Sequence, residues 1–132
     1  MTPAITWLYA GLLGLLLLFL SYRVSLSRMK HLVELGDGGV GDLQQRIRVQ
    51  GNFVEYVPLA LGLILLVELS GFSGWIVHLL GAALVVARVL HAQGLSRRPG
   101  KSPGRALGAL LTWLVIALGS ALSILRYFDL RF

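Results

Sequence analysis

Three residues in the stretch RIRVQGNFVEYVP have types and spacing that suit binding chemistry. Arg48, Asn52 and Glu55 fall at i, i+4 and i+7. On a helix they make one stripe roughly 60° wide. Gly51 borders the stripe on one side and Tyr56 on the other, and Gly51 lets another group approach the backbone closely. The residues that follow are apolar enough for a membrane-spanning helix, where ionisable groups are costly unless they pair or face a polar cavity. Pro58 follows the stripe. It cannot donate to the carbonyl of Val54, and its ring presses on that turn. A kink there would open the helix just above the polar residues. A structural role competes with a binding role: Arg48 and Glu55 could pair across helices and only lock a bundle.

A second constellation is KSPGRALG. Ser102 reads as an N-cap, with Pro103 at the first helical position, where its missing N–H costs nothing. Arg105 then falls in a first helical turn, beside free backbone N–H groups. Both favour a bound anion. A thiol held there would ionise more easily, since a nearby cation and a helix N-terminus both lower a thiol pKa. The chain has no cysteine, so any such thiol must arrive on a ligand. A third stretch, ARVLHAQGLSR, places His91 and Leu95 on one face with Arg88. His91 is either a cavity residue or an interfacial one. His31, His78 and His91 have no ligand spacing between them, so no metal site is expected.

The elements that must position these residues are membrane helices. The 132 residues are 56% hydrophobic and 14% charged, and the mean hydropathy is +0.77. Soluble chains run near 45–50% apolar and about 25% charged. Four long runs, at residues 1–22, 57–67, 69–87 and 106–125, carry no charge. They predict four spanning helices in an all-α, up-down bundle forming a single domain over 1–132. The first run lacks a basic start and a small-residue cleavage site, so it is read as a span and not a signal peptide. Helix one is expected to run to about Leu35 and to be followed by a flexible GDGG turn at 36–39. Asp42 is expected to cap helix two, with Gln45 as its capping-box partner, and that helix should end near Leu69. Ser73 should cap helix three, which ends near Gly94. Glu68 is expected simply to reach the far interface.

The net charge is +6. Its distribution excludes a nucleic-acid partner. Arg23, Arg28, Lys30, Arg46 and Arg48 lie between helices one and two. Arg97, Arg98, Lys101 and Arg105 lie between helices three and four, around the breakers Pro99 and Gly100. The SGFSG connection has no charge. The positive-inside bias puts both basic loops in the cytoplasm and both termini on the other side, against the weaker signal of Arg126 and Arg131. Arg97, Arg98 and Lys101 read as arginines and a lysine facing lipid phosphate. Short loops and the lack of cysteine suggest a bacterial inner membrane, with an intracellular eukaryotic membrane as the alternative.

Arginine, asparagine four on, glutamate three further and proline three beyond is a pattern that resembles the MAPEG family, the membrane-associated proteins of eicosanoid and glutathione metabolism. Arg48, Asn52, Glu55 and Pro58 fit it. Tyr56 and Gln50 match positions of the leukotriene-forming branch, and SPGR opens helix four where the family has a catalytic arginine. The resemblance implies a homotrimer with sites between subunits near the cytoplasmic face. Arg48, Asn52, Glu55 and Tyr56 would hold glutathione as co-substrate from one subunit. Gln50 and Arg28, or Lys30 in its place, would reach in from the neighbour. Arg105 would stabilise the thiolate. Two helix-three tyrosines of that branch are His91 and Leu95 here, which implies a different thiol environment, with His91 as a substitute donor. Glutathione has two carboxylates and one ammonium, so arginines and a carboxylate on one face are the groups it needs. The implied activity is a glutathione transferase, with peroxidase action on lipid hydroperoxides as a further capability, acting on a lipophilic second substrate from the bilayer. The alternative is a non-catalytic lipid- or glutathione-binding protein.

Overall fold

A computed structural model describes residues 2–97, except the Arg97 side chain, and residues 102–129. The expectations for Arg98, Pro99, Gly100, Lys101, Arg131 and the side chain of Arg97 lie outside the described residues. Four helices account for most of the chain: α1 (Ala4–His31), α2 (Gly41–Leu69), α3 (Gly74–Arg97) and α4 (Pro103–Asp129). Each is long and apolar enough to cross a membrane. With no strand among the described residues, the chain is a four-helix membrane bundle, as the charge-free runs predicted. Helices α2 and α3 each pack on all the others, while among the described residues the backbones of α1 and α4 do not approach each other. The α2–α3 pair is therefore the middle of the bundle, with α1 and α4 on its two sides.

The core follows from the inward residues of these helices. Leu13, Phe53, Ala60, Ile64, Val67, Val77, Leu84 and Val115 are buried together. Large apolar side chains such as Trp7, Leu15, Leu18, Trp75 and Leu110 remain exposed. A soluble domain would hide them; hydrocarbon does not penalise them. Gly81 lets the Tyr9 ring lie on the α3 backbone, since a Cβ there would sit 2.2 Å from the ring. The Tyr9 hydroxyl meets His78 Nδ1 at 2.9 Å.

Several ends differ from the sequence reading. Helix α1 stops at His31 rather than near Leu35, because Leu32 turns left-handed (φ 55°) and closes the helix. The chain then stays in turns through Gly36, Gly38 and Gly39, all at positive φ, which glycine adopts at little cost. Asp42 is not the cap of α2. Val40 occupies that position, extended and without a side-chain bond. Asp42 instead accepts from Ser27 Oγ and from Arg46 Nε, both at 2.9 Å, and so ties the start of α2 to α1. Gln45 is not a capping-box partner either; its amide nitrogen donates to the carbonyl of Leu95 on α3. Helix α3 runs on to Arg97, past Gly94.

Glu68 does not simply reach outward, as its position near the end of α2 suggested. It is buried, and its two carboxylate oxygens accept from the backbone N–H groups of Ile5 (2.9 Å) and Thr6 (2.7 Å). Helix α1 has no side-chain cap of its own. The acid near the end of α2 supplies one, placing negative charge at a helix N-terminus where the dipole favours it.

Candidate functional site

The polar residues gather at the end of the bundle that carries the basic loops. Helix α2 supplies Gly41, Gln44, Gln45, Arg48 and Asn52, α3 supplies His91 and Leu95, and α4 supplies Arg105. Together they line an open cavity of about 380 Å³, within the range of small-molecule sites. The α2 residues share one face because they recur at three- and four-residue spacing.

The position of Arg105 depends on two glycines. A Cβ on Gly94 would lie 2.4 Å from the Arg105 backbone nitrogen and 2.8 Å from Ser102 Oγ. One on Gly108 would lie 2.5 Å from the Ala87 carbonyl oxygen and 2.6 Å from the His91 nitrogen. Helices α3 and α4 thus meet backbone to backbone, and the first turn of α4 comes to lie against the end of α3. Ser102 Oγ accepts from the Arg105 N–H at 3.2 Å, as expected for the cap. Arg105 also borders a second hollow of about 650 Å³, with Ser102, Pro103, Ala106 and Ala109. It is the residue common to the polar cavity and to this more apolar recess.

The structure brings only some of the sequence-predicted residues together. Arg48, Asn52, His91 and Arg105 come together around the cavity. Arg48 Nη1 donates to Glu55 Oε1 at 3.2 Å, and both side chains are about half exposed. That pair lies along one helix face and not across helices, so it does not lock α2 to a neighbour. Tyr56, half-buried, sits one turn beyond Asn52 and outside the cavity lining. Gln50 faces α1, where its amide nitrogen donates to Ser21 Oγ at 2.9 Å. Arg28 turns back on its own helix end, donating to the carbonyls of Gly36 (2.8 Å), Glu34 (3.3 Å) and Val33 (3.4 Å). Helix α2 continues unbroken through Pro58, which borders a small apolar hollow against α1.

Arg88 is the residue whose role the sequence reading missed. It is 1% exposed. Its Nη2 donates to Asn52 Oδ1 at 2.7 Å and faces His91 Nδ1 at 3.4 Å, while Nη1 reaches Thr112 Oγ1 at 3.4 Å. The guanidinium carbon lies 5.7 Å from the Phe53 ring centroid. Ion pairs among the described residues are Arg46 with Asp42 and Arg48 with Glu55, so the buried cation has only neutral partners. The signal was present: an arginine inside an apolar helix, three residues before a histidine.

Residues 6–125 match the sequence model of the MAPEG family. The chain is 40% identical over 111 residues to inner membrane protein YecN of Escherichia coli strain K12, covering 84% of this chain and 83% of that protein. The match to YecN of E. coli O6:H1 strain CFT073 has the same identity and coverage.

Proposed function

This chain belongs to the MAPEG family, and on that premise we propose that it is a glutathione transferase of the bacterial inner membrane. Both relatives carry the name of an inner membrane protein, which supports the location. The observation that carries the activity is the place of Arg105, between a polar cavity and an apolar recess. A transferase of this kind needs a water-soluble thiol and a lipophilic electrophile to meet at one point.

Glutathione lies along α2. The Arg48 guanidinium takes one of its carboxylates, and the Glu55 carboxylate takes its ammonium. Their mutual bond at 3.2 Å opens to admit the ligand's two ends. The thiol comes to rest by Arg105 and the N-terminus of α4, where the cation and the helix dipole favour the thiolate. The sulfur lone pair attacks the electrophilic carbon of a substrate in the recess. A carbon–sulfur bond forms, and the leaving group departs with its bonding electrons. Arg105 stabilises the thiolate before the attack and leaving-group charge after it. With a lipid hydroperoxide instead, two glutathiones are oxidised to their disulfide, and the hydroperoxide is reduced to an alcohol and water.

The site completes in a homotrimer. Gln50 and Arg28 face away from their own subunit's cavity and reach a neighbour's. Arg28 does so from its present bonds at the end of α1, or Lys30 takes its place. The basic loops face the cytoplasm, where glutathione is supplied.

Melting curves in detergent test the reading. Glutathione at 100 times its Kd should raise stability by about 2.7 kcal/mol. Arg105→Ala should keep most of that shift and lose conjugation of a lipophilic chloronitrobenzene by about 10²–10³-fold. No shift in the wild-type protein would end the glutathione reading. A shift with no turnover across a panel of electrophiles and hydroperoxides would leave a binding protein.

A further inference from the structure

Arg88 bears on what the inner wall of the cavity presents to a ligand. A guanidinium only donates hydrogen bonds. The Asn52 atom 2.7 Å from Nη2 is therefore the carbonyl oxygen, and the Asn52 amide hydrogens turn the other way. The His91 nitrogen facing Nη2 at 3.4 Å is Nδ1. As an acceptor it carries no proton, which leaves the proton of a neutral ring on Nε2. Thr112 cannot relieve this arrangement. Its hydroxyl proton is given to the Gly108 carbonyl at 2.8 Å, so it offers Arg88 only a lone pair. Neither Nε2 of His91 nor the Asn52 amide nitrogen has a partner among the described residues, and neither is sealed off from the cavity that both residues line.

We infer that Arg88 is a positioning residue that fixes the hydrogen-bond polarity of the site, holding Asn52 and His91 as donors toward the cavity so that it selects an anionic group there. Arg88 does not touch the ligand. It acts through two residues that do, one on α2 and one on its own helix. Thr112 on α4 and the Phe53 ring hold the guanidinium from two other sides, and its Nε has no partner among the described residues. The cavity then receives two neutral donors from its inner wall and two cations, Arg48 and Arg105, from its rim. A thiolate or a carboxylate suits that set, while a neutral thioether leaves the donors unpaired. The polarity rests on the contacts of Arg88 alone. That the selected anion is the sulfur of glutathione rests on the proposed function.

Two measurements separate these claims. The first is nitrogen-15 NMR of histidine-labelled wild-type protein in detergent, with the His91→Gln variant identifying the His91 signals. The expected form is the neutral ring protonated on Nε2. A ring protonated on Nδ1, or on both nitrogens, at neutral pH would overturn the assignment of Arg88. This measurement needs no ligand and no substitution of Arg88. The second compares glutathione sulfonate, anionic at the sulfur, with S-methylglutathione, neutral there. Wild-type protein should prefer the sulfonate by at least about tenfold, the size of one hydrogen bond to a charged group. Arg88→Met should lose that preference with little change in affinity for S-methylglutathione, and Arg88→Lys should retain part of it. An unchanged preference in folded Arg88→Met would refute the positioning role. If neither tripeptide binds the wild-type protein, the glutathione reading fails, and the NMR result still decides whether Arg88 sets the polarity.

Discussion

Replacing Gly94 with alanine should damage chemistry more than binding. An ideal Cβ on Gly94 falls 2.4 Å from the Arg105 nitrogen, 2.8 Å from the Gly104 carbonyl carbon and 2.8 Å from Ser102 Oγ. Ordinary contacts between such atoms lie near 3.5 Å, so relief requires a shift of about 1 Å. Two of the three atoms are backbone, and a side-chain rotation cannot provide that relief. The first turn of α4 must move, taking Arg105 with it and loosening the Ser102 cap. Overpacking of this kind costs about 1–3 kcal/mol, and alanine's better helix propensity returns only about 0.5–1 kcal/mol. A 1 Å displacement of a catalytic group costs on the order of 10²-fold in rate. Arg48, Asn52 and Glu55 stand on α2, away from the collision. Glutathione affinity should therefore hold to within about 0.5 kcal/mol, as for separated sites. Initial conjugation rates and calorimetric titration of Gly94→Ala measure the two effects independently. Wild-type turnover in this variant would show that the close approach of α3 and α4 does not position the reacting group.

Other perturbations address single contacts. Glu68→Ala removes two charge-assisted bonds to the start of α1; it should cost about 2–4 kcal/mol and speed amide exchange at Ile5 and Thr6, and unaltered exchange there would deny the cap. Arg48→Ala breaks an exposed pair, so thermal stability in detergent should fall by less than about 1 kcal/mol, while the stabilisation by glutathione should disappear. A large loss of stability with the glutathione response intact would mean that the pair is structural. Because the chain has no cysteine, single cysteines report its orientation directly. Ser73→Cys should react with an impermeant maleimide in spheroplasts and Asp37→Cys only after permeabilisation; the reverse pattern would invert the topology.

The four spans were legible because hydrocarbon demands long runs without charge, a constraint the chain meets locally. The Arg48, Asn52 and Glu55 stripe was legible for the same reason: helix periodicity is a local property. The start of α4 followed from Ser102 and Pro103, whose preferences act within one turn. Misreadings arose where a partner comes from elsewhere in the chain. Asp42 has the type and place of a cap, but Ser27 and Arg46 outcompete the backbone for its carboxylate. Glu68 looked like a residue reaching for an interface, because its true partners lie 62 and 63 residues away in sequence. The end of α1 depends on Leu32 taking a left-handed conformation that its side chain disfavours, and bonds from Arg28 to the following carbonyls accompany that turn.

The two buried charges among the described residues, Glu68 and Arg88, are handled in opposite ways, and the contrast bears on function. At one end the Glu68 charge is met by a helix N-terminus, which supplies both hydrogen bonds and a favourable dipole. Little of its field is left over. At the other end Arg88 has an amide oxygen, a hydroxyl and an imidazole nitrogen. These take hydrogen bonds from both terminal nitrogens without cancelling the charge, while Nε has no hydrogen-bond partner among the described residues. A bundle selected for stability alone gains nothing from such an arrangement, since an unpaired ion at membrane depth is costly. A carboxylate beside Arg88 would lower that cost and also neutralise the inner wall. Leaving it out preserves a positive potential in a cavity already flanked by Arg48 and Arg105. On the proposed function, an anion entering the cavity supplies the missing counter-charge without touching Arg88, so ligand binding should stabilise this chain more than its few direct contacts suggest.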